Sequence, residues 1–223
     1  ITGASSSAAI GAMQIAKSFG LKTIGVSRTL KKEHELKKVG YDCVLALMDP
    51  KIEDNILDVT NGIGFDLAYD CVGGEHFYKL VNTVKARGLI VNYGNLNLNY
   101  SKIFTLPLLG KRIHIRFHSI FDTMRFKNER EEGVKWVNTQ MENKVLKPII
   151  SKVFNLDNIV DDLDYLSKAF AEQCLRNETL LEKHFRPFVE KHFREMISKC
   201  FPKYSQRILS IPGSFVVHLL EMI

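Results

Sequence analysis

From residue 1 to about residue 93, short apolar runs alternate with segments of helical period. The chain opens on Ile1-Thr2, turns through Gly3, Ala4 and three serines, and enters an alanine-rich stretch. There Ala8, Ala12, Ile15 and Phe19 recur three or four apart, which predicts a helix with one apolar face, stopping at Gly20. Residues 22–26 (KTIGV) predict a short strand closed by Ser27 and Arg28, and residues 31–39 a helix ended by Gly40. A second strand is expected at 43–47 before an Asp49-Pro50 turn, then a helix carrying Ile52, Ile56 and Val59. Residues 66–72 (DLAYDCV) read as a strand running into Gly73-Gly74. Phe77, Leu80, Val81 and Val84 mark the next helix, and residues 89–93 (LIVNY) a strand ending at Gly94. Strands alternating with helices of about ten residues form βαβ units around a mostly parallel sheet. Right-handed crossovers then leave a doubly wound α/β fold, which binds ligands at the carboxyl ends of its strands.

The pattern weakens beyond that point. Residues 95–111 are loop-like and 111–117 alternate as a strand. Residues 129–143 suit a polar helix with Val134, Val137 and Met141 on its inner face. Pro148 makes 146–154 an edge strand or an extended connection, and 157–170 a helix with Ile159, Leu163, Leu166 and Phe170. The predicted division is a domain over 1–171 and a helical tail over 172–223. The tail contains EKHFR twice and an amphipathic stripe of Phe185, Val189, Phe193 and Ile197. Two copies do not make a repeat array, which needs about three. His184, His192 and Cys200 stand eight apart, about 80° out of register on a helix, so they do not converge on a metal. A packing helix with a solvated face and an interaction helix for a partner are both open readings of the tail.

Composition narrows the class. The 223 residues are 45% hydrophobic and 25% charged, as expected of a globular protein. No apolar run approaches the roughly 20 residues of a membrane span, so no membrane partner is expected. Four scattered cysteines, without a CxxC pair, predict a reduced cytoplasmic protein with no metal site. The formal charge of +6 suits an anionic partner, but the basic residues are spread rather than clustered. That favours a phosphate-rich cofactor over nucleic acid. The first residue is Ile rather than Met, and the chain reads as truncated at its start.

The candidate chemistry begins at the first turn. A tight turn presenting N–H groups at a helix N-terminus cradles an anion, because the unpaired donors and the dipole both favour phosphate. A serine that only caps the helix is the alternative at Ser5, Ser6 or Ser7. Against the dinucleotide fingerprint the turn reads Gly3-x-x-Ser6-x-x-Ala9, so only the first glycine remains. Ala9 still permits close packing, whereas Ser6 is unfavourable if its φ is positive. The next strand ends in Ser27-Arg28-Thr29 with Lys31 and Lys32 behind, where an NAD-selecting site would carry a carboxylate. Arg28 could pair with a 2′-phosphate there, which favours NADP(H), although a surface arginine is the plain alternative.

Taken in order, ITGASSS…AMQIAK, GVSRTLKK, FDLAYDCVGGEHF, GLIVNYGNL and LKPIISKVFNLDNIVDDLDYL resemble the cofactor domain of the medium-chain dehydrogenase/reductase superfamily. The likeness is to the quinone-oxidoreductase-like and zinc-type alcohol-dehydrogenase-like branch and covers about residues 1–166. It implies a Rossmann-type domain with NADPH across the carboxyl edge of the sheet. Pyrophosphate is then expected over Ser5, Ser6, Ser7 and Ala8, following Gly3, and the 2′-phosphate at Ser27, Arg28 and Lys32. Cys71, Val72, Gly73, Tyr93, Gly94 and Asn95 are expected to border ribose and nicotinamide, with Cys71 a small buried residue rather than a nucleophile. The implied activity is hydride transfer between NADPH and a quinone, enone, aldehyde or alcohol, with catalytic residues unassigned. A non-catalytic nucleotide-binding remnant is the alternative. A small-molecule substrate is the expected partner, with a homodimer left open. Relative to the family, an N-terminal catalytic domain and most of the first strand are missing. Asp162-Leu163-Asp164 and the tail replace the family's return to the catalytic domain.

Overall fold

Five strands and seven α-helices alternate along the described residues of a computed structural model, which are 1–97, 99–150 and 153. Helix α1 (Ser7–Ser18) leads to β1 (Ile24–Ser27), α2 (Glu33–Val39), β2 (Cys43–Ala46) and α3 (Ile52–Val59). Strand β3 (Phe65–Asp70), α4 (Phe77–Thr83) and β4 (Val84–Asn92) follow. Helix α5 (Thr105–Lys111), β5 (His114–Phe117), α6 (Ile120–Arg125) and α7 (Lys127–Glu142) complete the described set. The unit they build spans Ile1–Ile149; the boundary expected at residue 171 and all readings on the tail lie outside the described residues.

Every strand pairing is parallel, in two sheets of order β1-β2 and β3-β4-β5. Ile1 and Thr2 join them. On one side the Ile1 amino group donates to Ile24 O at 2.8 Å, and Val26 N donates to Ile1 O at 2.8 Å. On the other, Thr2 N donates to Tyr69 O at 3.1 Å. Counting these two residues as the first strand, the spatial order is β2-β1-stub-β3-β4-β5. That is the 3-2-1-4-5-6 order of a dinucleotide-binding sheet. The fold is Rossmann-type and doubly wound, as the alternation of runs implies. The stub stands at the switch point, where strand order reverses.

Each half-sheet has its own core. Ala4, Met13, Leu36, Tyr41 and Val44 pack on β1–β2, while Ala68, Phe77, Leu80, Val81, Val84 and Ile90 pack on β3–β4. Helix α1 buries Ala9 and Met13 rather than the face drawn through Ala8 and Phe19, since Phe19 is 72% exposed. Apolar residues surround this helix, so period alone does not choose its inner side.

Three other expectations change. Residues 105–111 are helical, because Leu108 of α5 reaches the β3–β4 core. Strand β4 starts at Val84, which pairs with Phe65 before a kink at Arg87 (φ +60°) and Gly88 restores register at Leu89. Helix α7 forms as predicted but leaves Val134, Val137 and Met141 exposed, and its main packing among the described elements is on α6.

Candidate functional site at the carboxyl edge of the sheet

The edge where β1, the stub, β3 and β4 end gathers most of the predicted residues. The chain leaves the stub through Gly3, whose φ of +60° favours glycine. A Cβ there would lie 2.6 Å from Cys71 Sγ, so the close approach of the two turns also requires glycine. Ser6 has φ −78° and ψ 153°, extended backbone that suits serine, which removes the objection to it in the fingerprint. Its hydroxyl caps α1 by accepting from Ala9 N at 3.2 Å. The amides of Ser7 and Ala8 have no partner among the described residues, and the first turn holds no acidic side chain. Ser5, Ser6, Ser7 and Ala8 are all exposed. Capping and anion cradling are thus compatible: one donor is capped and two remain free.

At the end of β1, Ser27 Oγ donates to Thr29 O at 2.6 Å and stiffens the turn. Arg28 and Lys32 are exposed and belong to none of the ion pairs among the described residues. Met48 N donates to Arg28 O at 3.3 Å, holding the loop after β2 beside this turn.

The loops after β3 and β4 are zipped together. Leu96 N donates to Cys71 O at 2.9 Å and Asn97 N to Val72 O at 2.8 Å. Gly73 has φ +60°, and a Cβ there would lie 2.4 Å from Asn95 Oδ1. Gly94 packs on Cys71, whose Cβ would be 3.2 Å from an added methyl. Cys71 is buried, and burial pushes its thiol pKa up, so it is not poised as a nucleophile. Tyr93 stacks on Tyr69 with ring centroids 3.9 Å apart. Its hydroxyl is the one buried side-chain polar atom without a partner among the described residues. Burial, then neighbouring Cys71, pushes its ionisation up.

Three residues that the sequence reading missed organise these loops. Asp70, 1% exposed, accepts from Thr2 Oγ1 at 2.6 Å and Val72 N at 3.2 Å on one oxygen. Its other oxygen accepts from Gly73 N and Asn92 Nδ2, both at 3.0 Å. Thr2 Oγ1 in turn accepts from Cys71 N at 3.1 Å. A signal was present: Asp70 ends an otherwise apolar strand directly before a Gly-Gly turn, a place where a buried acid must satisfy backbone amides.

With that geometry in place, comparison with known proteins adds the following. Residues 9–139 match the family described as zinc-binding dehydrogenase. The 2-haloacrylate reductase of Burkholderia sp is 24% identical over 143 residues, covering 63% of this chain and 43% of that protein. The acryloyl-coenzyme A reductase of Sulfurisphaera tokodaii is 30% identical over 159 residues, covering 71% and 44%. Among solved structures, Escherichia coli quinone oxidoreductase complexed with NADPH aligns with a TM-score of 0.60 at 22% identity, covering 67% of this chain and 46% of that one. The chain spans less than half the length of these relatives. No three potential metal ligands converge among the described residues, so these residues do not fit a zinc ion. No described helix is long and apolar enough to cross a membrane.

The turn geometry separates two substitutions. Gly3→Ala must strain φ and displace Cys71, and is expected to destabilise by about 1–3 kcal/mol. Ser6→Ala loses only the cap and should cost about 1 kcal/mol. Denaturant unfolding of both variants checks the ranking, and the reverse order would contradict the close approach of the two turns.

Proposed function

The chain belongs to the zinc-binding dehydrogenase family, within the medium-chain dehydrogenase/reductase superfamily, and on that premise we propose that it binds NADP(H) for hydride transfer to a small-molecule acceptor. The observation that carries this reading is the pairing of a cradle with a cation. Two free amides at the start of α1 lie at the switch point, and β1 beside it ends in an exposed arginine with no acidic residue at the ribose position. The residues fit a dinucleotide phosphate on this ground: the turn is held open by Gly3, and its donors are unpaired. When bound, the nicotinamide supplies the hydride chemistry. The chain's own residues do the rest. Ser7 and Ala8 donate to the pyrophosphate, and Arg28 with Lys32 meets the 2′-phosphate. The Val72–Gly73 turn and residues 93–95 wall the nicotinamide side.

The substrate class is narrowed by the relatives' names. Haloacrylate and acryloyl-coenzyme A both carry a C=C bond conjugated to a carbonyl, and a quinone is an enone in the same sense. An activated C=C bond is therefore favoured over a simple aldehyde as the acceptor.

The cofactor assignment predicts a selective defect. Arg28→Glu should weaken NADPH binding by about tenfold or more, as expected for loss of a charge-assisted bond, and leave NADH nearly unchanged. Fluorescence titration of both nucleotides reads this directly. Equal losses for the two would place the 2′-phosphate elsewhere.

A further inference from the structure

We propose that the Asp70 carboxylate is an electrostatic positioning residue of the cofactor edge, favouring the oxidised, cationic nicotinamide over the neutral reduced ring and so biasing the site toward hydride donation. The inference rests on the NADP(H) reading of this edge. Asp70 is buried, and all four of its partners are donors: the Thr2 hydroxyl, the amides of Val72 and Gly73, and the Asn92 side-chain amide. The Thr2 oxygen already accepts from Cys71 N, so its proton is directed to Asp70. A carboxyl that only accepts carries no proton and a full negative charge.

That charge has no cation opposite it among the ion pairs of the described residues. The ionisable groups around it do not cancel it. Cys71 is held as the thiol by burial, and ionisation of Tyr93 is pushed up.

Its location follows from the sheet. In this strand order the adenosine half of a dinucleotide lies over the end of the second strand in sequence, here β1 with Ser27 and Arg28, and the pyrophosphate over the first turn. The other half must cross the ends of β3 and β4. Those ends include the loop whose amides Asp70 holds, so the carboxylate would stand behind the nicotinamide side of the edge. In the transfer, the acceptor C=C or C=O takes a hydride with both electrons from the reduced ring and a proton from solvent. The ring left behind carries one positive charge. A fixed negative charge in a weakly screened site stabilises that product form and leaves the neutral form nearly unaffected.

The test compares dissociation constants of NADP+ and NADPH for the full chain at pH 8 by calorimetry. In Asp70→Asn the ratio Kd(NADP+)/Kd(NADPH) is expected to rise roughly five- to tenfold. Asn92→Lys keeps the carboxylate but sets an ammonium against it, and should shift the ratio the same way. It decides the matter if Asp70→Asn does not fold. Ser6→Ala should change both affinities and leave the ratio alone. An unchanged ratio in whichever charge variant binds overturns the role of Asp70 while leaving the cofactor reading intact. Failure of the unsubstituted chain to bind either nucleotide overturns both.

Discussion

The Thr2 hydroxyl donates to Asp70 across the line where the strand order reverses, and the rest of the structure depends on that clasp. Two parallel half-sheets with separate cores cannot hold a common edge by packing alone. Ile1 and Thr2 lie between them, with three backbone bonds to the flanking strands. Side chains add to these. Thr2 does so by bonding in both directions, to Asp70 and from Cys71 N, and within the β1–β2 half Tyr41 donates to the carbonyls of Ala4 and Ala9.

The same clasp connects fold to function. Asp70 fixes the Val72–Gly73 turn through two amides, and Thr2 leads into the Gly3 turn from which α1 starts. The turn after the stub and the turn after β3 are therefore tied to one buried side chain. Gly3 lets the two turns approach until they touch at Cys71. Placing a buried, unneutralised acid at this junction is costly unless its bonds are complete, and all of them are. The arrangement satisfies the carboxylate structurally while leaving its charge available to the site.

How much of this was legible in the sequence divides along physical lines. The strand and helix order up to residue 93 could be read because each run has its own periodicity and its own Gly or Asn stop. That the first turn, Arg28 and the 71–73 and 93–95 loops lie at strand ends could be read because the Gly and Ser stops there are local. The inner face of α1 could not, since apolar residues surround it and tertiary packing chose Ala9 and Met13. Helix α5 was missed because Pro107 and Gly110 mask a pattern that docking of Leu108 rescues. Asp70 and Thr2 were missed for a different reason. Their importance comes from a pairing 68 positions apart that no local pattern encodes.

The most direct measurement is a double-mutant cycle on that pairing, with Thr2→Val, Asp70→Asn and the combined variant compared by urea unfolding at pH 8. A clasp joining the half-sheets predicts strong losses in both single variants and a coupling energy of about 1–2 kcal/mol between them. Losses that add to within about 0.5 kcal/mol would contradict it, because two residues that add in this way do not depend on one another.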